Sequence, residues 1–396
     1  MNNDKKGSNK MTKKLYYLDG YMTTFKGKVL SCGEGKKGLE VVLDQTAFYP
    51  EGGGQPADMG TLGKANVSYV YAKDEVIYHV VDKPLEVGSE VEGIIDFERR
   101  FDLMQQHSGE HIVSGLINAK YGYNNVGFHL SGEYTTCDFD GELTKEQLDE
   151  IEILANEAIY KNLEIDCTIY NDGEIKDKPY RSKLDLVGEV RLVTVPDYDT
   201  CACCGVHVKT TGEIGMIKCT NIERHRGGVR VTMLCGKRAL KDAKLKQEIV
   251  SEVSKMLSAK PEVITTNLAK VQEELTEMKQ KVVTLTNELL IYKVEGYLKA
   301  ETPALAIYEK DLSGDGLRRL ALMLIEKTNK KVLVLTGEGE QLKYALASKK
   351  EDIRTLNKLL TAEFAGKGGG KSELCQGNLA ADAEWVKAFY LANYMN

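Results

Sequence analysis

Two histidines four residues apart, His107 and His111, are the side chains of this sequence best suited to share a metal ion. They lie in the stretch FERRFDLMQQHSGEHIVSGLINAKYG, where apolar residues recur at helical spacing and Gly122 follows the run. This spacing predicts a helix. Side chains four residues apart lie on one face of a helix, so both imidazoles can reach one zinc ion, which needs one or two further ligands from elsewhere.

A second cluster, TCACCGVH, supplies candidates for those ligands. Cys203 and His207 repeat the four-residue step of the two helical histidines. A soft thiolate combined with imidazoles is a donor set that selects zinc. Cys201 or Cys204 could replace Cys203, and the spacing alone leaves this choice open. A purely structural site is the alternative to a catalytic one.

Glu110 gives the stretch from His107 to His111 the form H-x-x-E-H, which is that of the inverted zincin metalloproteases. In that class the glutamate is the general base. We favour another enzyme class, because these proteases take a distant glutamate as their third ligand, whereas here Cys203 and His207 accompany the helix.

A glycine-rich stretch, LDQTAFYPEGGGQPADMG, predicts a tight turn that approaches a ligand. Gly52, Gly53 and Gly54 allow positive φ and close contact with the backbone. The hydroxyl of Thr46 and the amide of Gln55 stand beside them. A hairpin loop without a ligand is the alternative.

The elements that must position these residues indicate an α+β fold. With 396 residues, of which 42% are hydrophobic and 28% charged, the chain is long enough for several packed domains. Short apolar runs over residues 15–97 predict an all-β lobe that forms a small barrel. The rest of the first half predicts an α/β lobe with a strand at 135–139, a helix at 145–162, and strands at 163–170 and 190–195.

A long apolar seam predicts a coiled coil in the third quarter of the chain. Pro261 separates its helix from a charged helical stretch at 237–260. An antiparallel hairpin within one chain or a homodimer would bury the seam. Its members are Ile264, Leu268, Val271, Leu275, Met278, Val282, Leu285, Leu289 and Tyr292.

The last hundred residues predict a further α/β domain that ends in a lysine-flanked glycine loop. Strands are expected at 304–308, 331–335 and 343–347, and helices at 316–328 and 352–363. The loop that follows offers backbone N–H groups and two positive charges to a phosphate, but lacks the spacing of a nucleotide-binding P-loop. A mobile surface turn is the alternative. The residues are Lys367, Gly368, Gly369, Gly370 and Lys371.

The net charge and the cysteine content limit the partners and the cellular compartment that we expect for this protein. The net charge of −6 requires any nucleic-acid partner to be met by a local basic patch. No apolar run has the length of a signal peptide or of a membrane span, so we expect a cytoplasmic protein without a membrane partner. The nine cysteines then predict reduced thiols or a metal site.

Four motifs in the same order, LDQTAFYPEGGGQPADMGTL, QQHSGEHI, CACCGVHVKTTGEIG and HRGGVRVTML, make residues 15–236 resemble a known family. They are similar to the editing domain of alanyl-tRNA synthetase and to the freestanding alanyl-tRNA editing proteins of the AlaX type. The C-terminal part resembles the C-terminal (DHHA1-like) domain of the synthetase, as in the long form of these editing proteins. The resemblance implies one zinc ion held by His107, His111, Cys203 and His207.

The resemblance further implies a zinc-dependent hydrolase that deacylates mischarged alanine tRNA carrying serine or glycine. Glu110, where synthetases commonly carry a hydroxyl residue, is then the candidate proton acceptor. Thr46 and the turn from Gly52 to Gln55 would bind the amino acid, and Lys367 to Lys371 would contact tRNA. Cys204 stands where a glycine is usual. A zinc-stabilised tRNA-binding protein without hydrolysis is the non-enzymatic alternative.

These patterns predict four domains. Residues 1–97 form the β-barrel lobe, 98–236 the zinc-binding editing domain, 237–300 the helical coiled-coil linker, and 301–396 the C-terminal α/β domain.

Overall fold

The computed structural model describes residues 11–176, 178–182 and 188–394. The chain divides into two compact units, Met1–Glu252 and Val253–Asn396. No helix within the described ranges is long and apolar enough to cross a membrane. The four domain boundaries expected from the sequence remain predictions.

Six strands of the first unit close into a barrel in the order β2-β3-β7-β6-β5-β8. Neighbouring strands are antiparallel, and side chains of β2 alternate between the barrel core and solvent, as a period of two requires. Strands β1 and β4 form a separate short parallel pair. The ranges are β1 (Lys13–Lys14), β2 (Thr24–Gly35), β3 (Gly38–Leu43), β4 (Gln45–Thr46), β5 (Gly60–Leu62), β6 (Ala65–Lys73), β7 (Val76–Val81) and β8 (Glu90–Ile95).

Helix α1 (Phe97–Tyr121) follows the barrel and carries the two histidines. The Asp96 side chain accepts a hydrogen bond from the backbone N–H of Arg99 at 3.1 Å and caps the helix, and Gly122 ends it in the left-handed region. Residues 103–115 are buried without interruption. Because α1 has no solvent-facing side along this stretch, its polar side chains must bond to other parts of the protein.

Helix α2 and residues of β10, β12, β14 and β15 share one apolar core with α1, whereas Ile175 of α3 packs in a smaller separate cluster. Two antiparallel sheets have the orders β14-β15-β10-β9 and β11-β12-β13. The ranges are β9 (Asn125–Leu130), β10 (Thr135–Phe139), α2 (Lys145–Lys161), β11 (Asp166–Tyr170), α3 (Asp172–Ile175), β12 (Val190–Val195), β13 (Asp199–Ala202), β14 (Ile217–His225), β15 (Gly228–Cys235) and α4 (Gly236–Met256).

A fully buried ion pair joins α1 to the barrel. The Nε of Arg100 donates to both carboxylate oxygens of Asp58, at 3.1 and 3.2 Å, and neither side chain is exposed. The other nitrogens of the guanidinium donate to the backbone carbonyls of Gly20, Met22 and Ala47. One side chain on the first turn of α1 therefore holds three separate segments.

The second unit is a five-stranded sheet covered by helices on both faces. Its order is β16-β17-β18-β20-β19, with β16 and β17 parallel and the other pairs antiparallel. Successive residues of β17 belong to two different cores, so both faces are apolar. The ranges are α5 (Ile264–Tyr297), β16 (Ala304–Tyr308), α6 (Gly314–Lys327), β17 (Lys331–Thr336), β18 (Leu342–Ala347), α7 (Arg354–Glu363), β19 (Lys367–Gly370), β20 (Leu374–Leu379) and α8 (Ala383–Tyr394).

The mixed α/β fold predicted from the sequence is confirmed. One local prediction is wrong: the segment expected to be a phosphate-binding loop is the edge strand β19. Its backbone pairs with β20 from Lys367–Asn378 to Gly370–Cys375. A Cβ at Gly368 would lie 2.1 Å from the hydroxyl of Tyr344, so packing against the sheet accounts for that glycine.

The apolar seam of α5 faces outward in this chain. Its eight side chains from Leu268 to Tyr292 are each at least 44% exposed, whereas Leu290 and Val294 join the core of the second unit. The homodimer expected to cover the seam remains a prediction.

Replacing Arg100 tests the buried pair. Arg100→Ala leaves the Asp58 carboxylate buried without its partner, so we expect the first unit to lose about 3–5 kcal/mol of unfolding free energy. Urea denaturation followed by circular dichroism measures the loss. The fluorescence of Trp385, the single tryptophan, reports on the second unit and separates the two transitions.

Lys145→Ala is the control, because it removes an exposed ion pair with Asp149. It should change the free energy by no more than about 0.5 kcal/mol. Equal losses in the two variants would contradict a special role for Arg100.

Candidate metal centre

Four side chains from two segments converge to form a group that can hold a metal ion. His107 and His111 project from α1, and Cys203 and His207 from the segment after β13. Their ligand atoms all lie within 4.8 Å of one another. The Cys203 Sγ is 3.4 Å from the Nε2 of His107 and 3.5 Å from the Nε2 of His207.

Each of the three histidines is held through its Nδ1 by a different kind of group. This leaves Nε2 for the shared centre, since the bond at one ring nitrogen fixes the tautomer and orientation of the imidazole. The contacts are His107 with Oε1 of Gln55 at 2.8 Å, His111 with Oδ2 of Asp199 at 2.8 Å, and His207 with Oγ of Ser108 at 3.1 Å.

Asp199 also belongs to a second group, with His111 and Cys201, whose ligand atoms lie equally close together. Both carboxylate oxygens of Asp199 are engaged, however, because Arg181 donates to them at 2.7 and 2.8 Å. Asp199 therefore supports His111, and we do not assign a second ion to this group.

The segment that carries Cys203 is held in place by hydrogen bonds to its backbone carbonyls. Arg191 donates to the carbonyls of Cys203 and Gly205 at 2.9 and 2.8 Å, and the hydroxyl of Tyr17 donates to the carbonyl of Cys204 at 3.0 Å. Cys204 itself is exposed. Of the three cysteines that the sequence left open, Cys203 is the one whose Sγ lies among the three imidazoles, and Cys201 lies beside Asp199.

The electrostatic surroundings favour the thiolate at Cys203 and the neutral imidazole at His207, the states that a cation requires, whereas a cation at His111 must displace a proton. Burial would raise the pKa of the Cys203 thiol, but His107 and hydrogen bonds from the surrounding imidazoles hold that pKa well below its ordinary value. Burial and the charge of His107 lower the pKa of His207 to about 3. Burial opposes protonation of His111, yet the Asp199 carboxylate raises the His111 pKa well above its usual range.

The glycine stretch forms a two-residue hairpin turn beside the centre. Gly52 and Gln55 exchange backbone hydrogen bonds of 3.1 and 2.9 Å, and Gly53 and Gly54 between them have φ of 59° and 80°. Positive φ at both central positions is typical of a type I′ turn. The turn places the amide of Gln55 against the ring of His107.

Gly54 has a further reason to be glycine. A Cβ at this position would lie 2.4 Å from the ring of Phe128. The same ring stacks on the imidazole of His107, with 4.9 Å between centroids. Backbone, phenyl ring and imidazole thus form one continuous stack.

A cleft of about 530 Å³ opens above the donors. This volume lies within the range of small-ligand sites. Among the described residues its wall combines the glycine turn, β9, the metal-binding group and several charged side chains. They are Gly53, Gly54, His107, Glu110, His111, Val126, Gly127, Phe128, Arg181, Ser182, Glu189, Val190, Arg191, Cys201, Ala202, Cys203 and Cys204.

Glu110 lines this cleft and is held in a defined position. Its Oε1 accepts hydrogen bonds from the hydroxyl of Ser114 at 2.5 Å and from the amide of Asn125 at 2.6 Å. The residue is only 6% exposed. A carboxylate therefore faces the space next to the metal-binding group.

Thr46 lies elsewhere, in the barrel core, and is not among the described residues that line the cleft. The Nδ1 of His79 is 3.0 Å from the carbonyl of Val41, so this nitrogen carries the proton and donates it. The Thr46 hydroxyl donates to the other ring nitrogen at 2.8 Å and accepts from the N–H of Phe48. Its predicted role in reading serine remains a prediction.

Three family models match separate parts of the sequence. They are "tRNA synthetases class II (A)" at residues 8–99, "Threonyl and Alanyl tRNA synthetase second additional domain" at 190–231, and "DHHA1 domain" at 301–389. Their order along the chain is that of the motifs described above.

The relatives cover almost the whole chain. Alanyl-tRNA editing protein AlaX-L of Pyrococcus horikoshii is 27% identical over 95% of this chain and 96% of its own length. The predicted resemblance to the AlaX-type editing proteins is confirmed. Alanine–tRNA ligase of Pyrococcus abyssi is 32% identical over 93% of this chain and 42% of the ligase.

This chain spans less than half the length of the curated ligases that it matches. The crystal structure of the C-Ala domain from Aquifex aeolicus alanyl-tRNA synthetase has 25% identity and a TM-score of 0.19, and covers 23% of this chain and 88% of that one.

The four residues that the AlaX-like motifs suggest as donors lie together in the structure. Gln55, predicted to bind the amino acid, instead supports His107. Ser108 directly follows a donor, so its proximity to the site could have been expected. Asp199 and Arg181 carry no such signal, because Asp199 lies 88 residues from His111 in sequence and Arg181 acts on His111 only through Asp199.

A methyl group at Gly205 should disturb the centre. A Cβ there would lie 2.2 Å from Cε1 of His107, so Gly205→Ala must displace the imidazole. We expect the affinity for the metal to fall roughly 10- to 100-fold, as it does when ligand orientation is lost. Competition with a chelator measures the affinity.

Gly33→Ala is the matched control, since a Cβ at Gly33 meets nothing within 4 Å. Its affinity should equal that of the parent. An unchanged affinity in Gly205→Ala would mean that His107 is not a ligand.

Proposed function

We propose that this protein is a zinc-dependent hydrolase that deacylates mischarged alanine tRNA carrying serine or glycine. The observation that carries the proposal is the four-donor group at the base of the cleft, with the glycine turn as one wall. The similarity to AlaX-L of Pyrococcus horikoshii over nearly its full length supports the same class of substrate. The proposed domains are those drawn from the sequence.

Zinc suits the four donors. Tetrahedral zinc with Zn–S of about 2.3 Å and Zn–N of about 2.0–2.1 Å places sulfur and nitrogen about 3.5 Å apart. The two sulfur–nitrogen distances at Cys203, 3.4 and 3.5 Å, agree with this value. One thiolate and three imidazoles are also the donors that zinc prefers. When bound, zinc supplies positive charge and Lewis acidity at the base of the cleft.

Glu110 is the proposed proton acceptor. A water molecule that attacks the ester carbonyl must lose a proton, and the Glu110 carboxylate lines the cleft in a fixed orientation. Collapse of the tetrahedral intermediate breaks the ester bond, and the leaving ribose oxygen takes up a proton. The products are the free amino acid and the uncharged 3′ end of the tRNA.

Selection of the amino acid is assigned to the wall formed by Gly53 and Gly54. Gly54 is pressed against Phe128, so this wall cannot retreat to admit a larger side chain. The shape of the wall therefore sets an upper limit on the size of the amino acid. A size limit that admits serine also admits alanine, so rejection of alanine needs a partner for the serine hydroxyl, and Thr46 can serve only if its hydrogen bonds in the barrel are rearranged.

The exposed strand β19 is the proposed tRNA contact in the second unit. Lys367 is its first residue and Lys371 directly follows it, and an edge strand presents unpaired N–H groups along its outer side. Cationic side chains and backbone N–H groups both bind phosphate oxygens. The contact supplies affinity, whereas hydrolysis belongs to the first unit.

Deacylation of charged alanine tRNA tests the proposal directly. The zinc-loaded protein should hydrolyse Ser- or Gly-charged tRNA much faster than Ala-charged tRNA. A chelator should abolish the activity, and added zinc should restore it. Binding of tRNA without hydrolysis would favour the non-enzymatic alternative, and cleavage of peptides would favour the metalloprotease.

Glu110→Gln tests the proton acceptor. The amide keeps the shape but cannot accept the proton, so we expect the hydrolysis rate to fall roughly 10²- to 10⁴-fold with zinc content unchanged. Glu133→Gln, an exposed carboxylate on a turn, is the control. A parent-like rate in Glu110→Gln would assign proton transfer to another group.

A double variant tests the tRNA contact. Lys367→Gln with Lys371→Gln should weaken binding of tRNA and reduce the salt dependence of its affinity by about one to two charges. The control is Lys349→Gln with Lys350→Gln, which removes two exposed lysines from the same unit. Identical salt slopes for the two double variants would exclude β19 as the contact.

A further inference from the structure

Arg181 lies outside the metal-binding group, yet it lines the cleft and donates to Asp199, the residue that supports His111. Its backbone is fixed as well. The N–H of Arg181 donates to the carbonyl of Thr200 at 2.8 Å, and its carbonyl accepts from the N–H of Ala202 at 2.9 Å. Arg181 thus adds to the outer edge of β13, which begins with Asp199.

The side chain of Arg181 forms a planar fork on the Asp199 carboxylate. Nε donates to Oδ1 at 2.7 Å and Nη2 to Oδ2 at 2.8 Å. Oδ2 accepts a third hydrogen bond, from Nδ1 of His111 at 2.8 Å. Two parallel bonds from one rigid group set the direction of the carboxylate, and that direction sets the plane of the imidazole.

Within the part of the chain that the structure describes, His111 and Arg181 are the side chains that bond to the Asp199 carboxylate. The side chain of Asp199 is 1% exposed, so water offers little compensation for the negative charge, whereas that of Arg181 is 20% exposed. A buried carboxylate without its cation is costly, and moves or recruits another partner.

Helix α1 leaves room for this arrangement at one position. Gly115 lies one turn after His111, and a Cβ there would lie 2.2 Å from the carbonyl oxygen of Tyr198 and 2.7 Å from the Cβ of Asp199. The absent side chain allows β13 to approach the helix closely enough for Asp199 to reach His111. Helix α1, strand β13 and Arg181 together thus position the imidazole of His111.

We propose that Arg181 is a positioning residue that acts through Asp199 to hold the His111 imidazole toward the shared centre. The inference rests on the proposed zinc site. Loss of the guanidinium should loosen His111 and leave Cys203, His107 and His207 in place, because those three are held by other groups. The result is a centre with one weakened ligand.

Metal binding by Arg181→Ala provides a test that needs no catalysis. We expect the affinity for zinc to fall roughly 10- to 100-fold in competition with a chelator. In the cobalt-loaded protein the thiolate charge-transfer band from Cys203 should remain while the ligand-field bands shift, since the geometry changes but the sulfur ligand does not. Methylguanidinium in solution should restore both the affinity and the parent spectrum.

Arg230→Ala is the matched control. Arg230 makes the same fork on Asp138, with contacts of 2.6 and 2.8 Å, and the histidine that Asp138 approaches is His225, which is not one of the four donors. It should bind zinc as the parent does. Equal losses in the two alanine variants, or no recovery with methylguanidinium, would overturn the proposal.

Arg181→Lys covers the case in which the alanine variant does not fold. Lysine keeps the positive charge but cannot bond both oxygens in a fixed plane, so an intermediate affinity and a partly shifted cobalt spectrum are expected. A parent-like lysine variant would overturn the positioning role.

Deacylation is measured in parallel: a parent protein that binds zinc but does not hydrolyse charged tRNA contradicts the proposed function while leaving this inference intact.

Discussion

The contact on which the first unit depends is the buried pair between Arg100 and Asp58. Asp58 also accepts the N–H of Tyr49 at 2.5 Å, and the hydroxyl of Tyr49 donates to the carbonyl of Gly52 at 3.0 Å. Gly52 closes the turn that ends in Gln55. These polar contacts connect Arg100, near the start of α1, through the segment from Tyr49 to Gln55 to His107 on the same helix. They therefore fix the position of the barrel relative to α1.

The metal-binding group is assembled from the surroundings of α1 rather than by one segment. Gln55, on the barrel side, supports His107 through its amide. Ser108 of α1 supports His207 through its hydroxyl, and Asp199 of β13 supports His111 through its carboxylate. These supports meet only in the folded unit. Binding of a metal ion by this group would therefore be coupled to folding, and the ion would stabilise the contacts that orient its ligands.

Local sequence patterns predicted the features that depend on residues close together in the chain. The four-residue steps at His107 and Cys203 indicated one shared centre, and apolar periodicity placed α1, β10 and β12. The sequence could not show that Arg181 reaches Asp199, because nothing local links a loop residue to a strand beside a helix. It also mistook β19 for a loop: glycine permits a turn, but here it serves close packing on Tyr344, and strand pairing outweighs its flexibility.

The uninterrupted burial of α1 affects how the first unit folds while the ribosome makes the chain. Gly109 and Gly115 each cost the helix about 1 kcal/mol relative to alanine, so α1 gains little stability before its neighbours arrive. Cys203 follows His107 by 96 residues. At about 5–20 residues per second, the ribosome needs roughly 5–20 s to deliver it. The barrel strands are complete in sequence before that interval begins, and during it the two imidazoles of α1 are without the Cys203 thiolate.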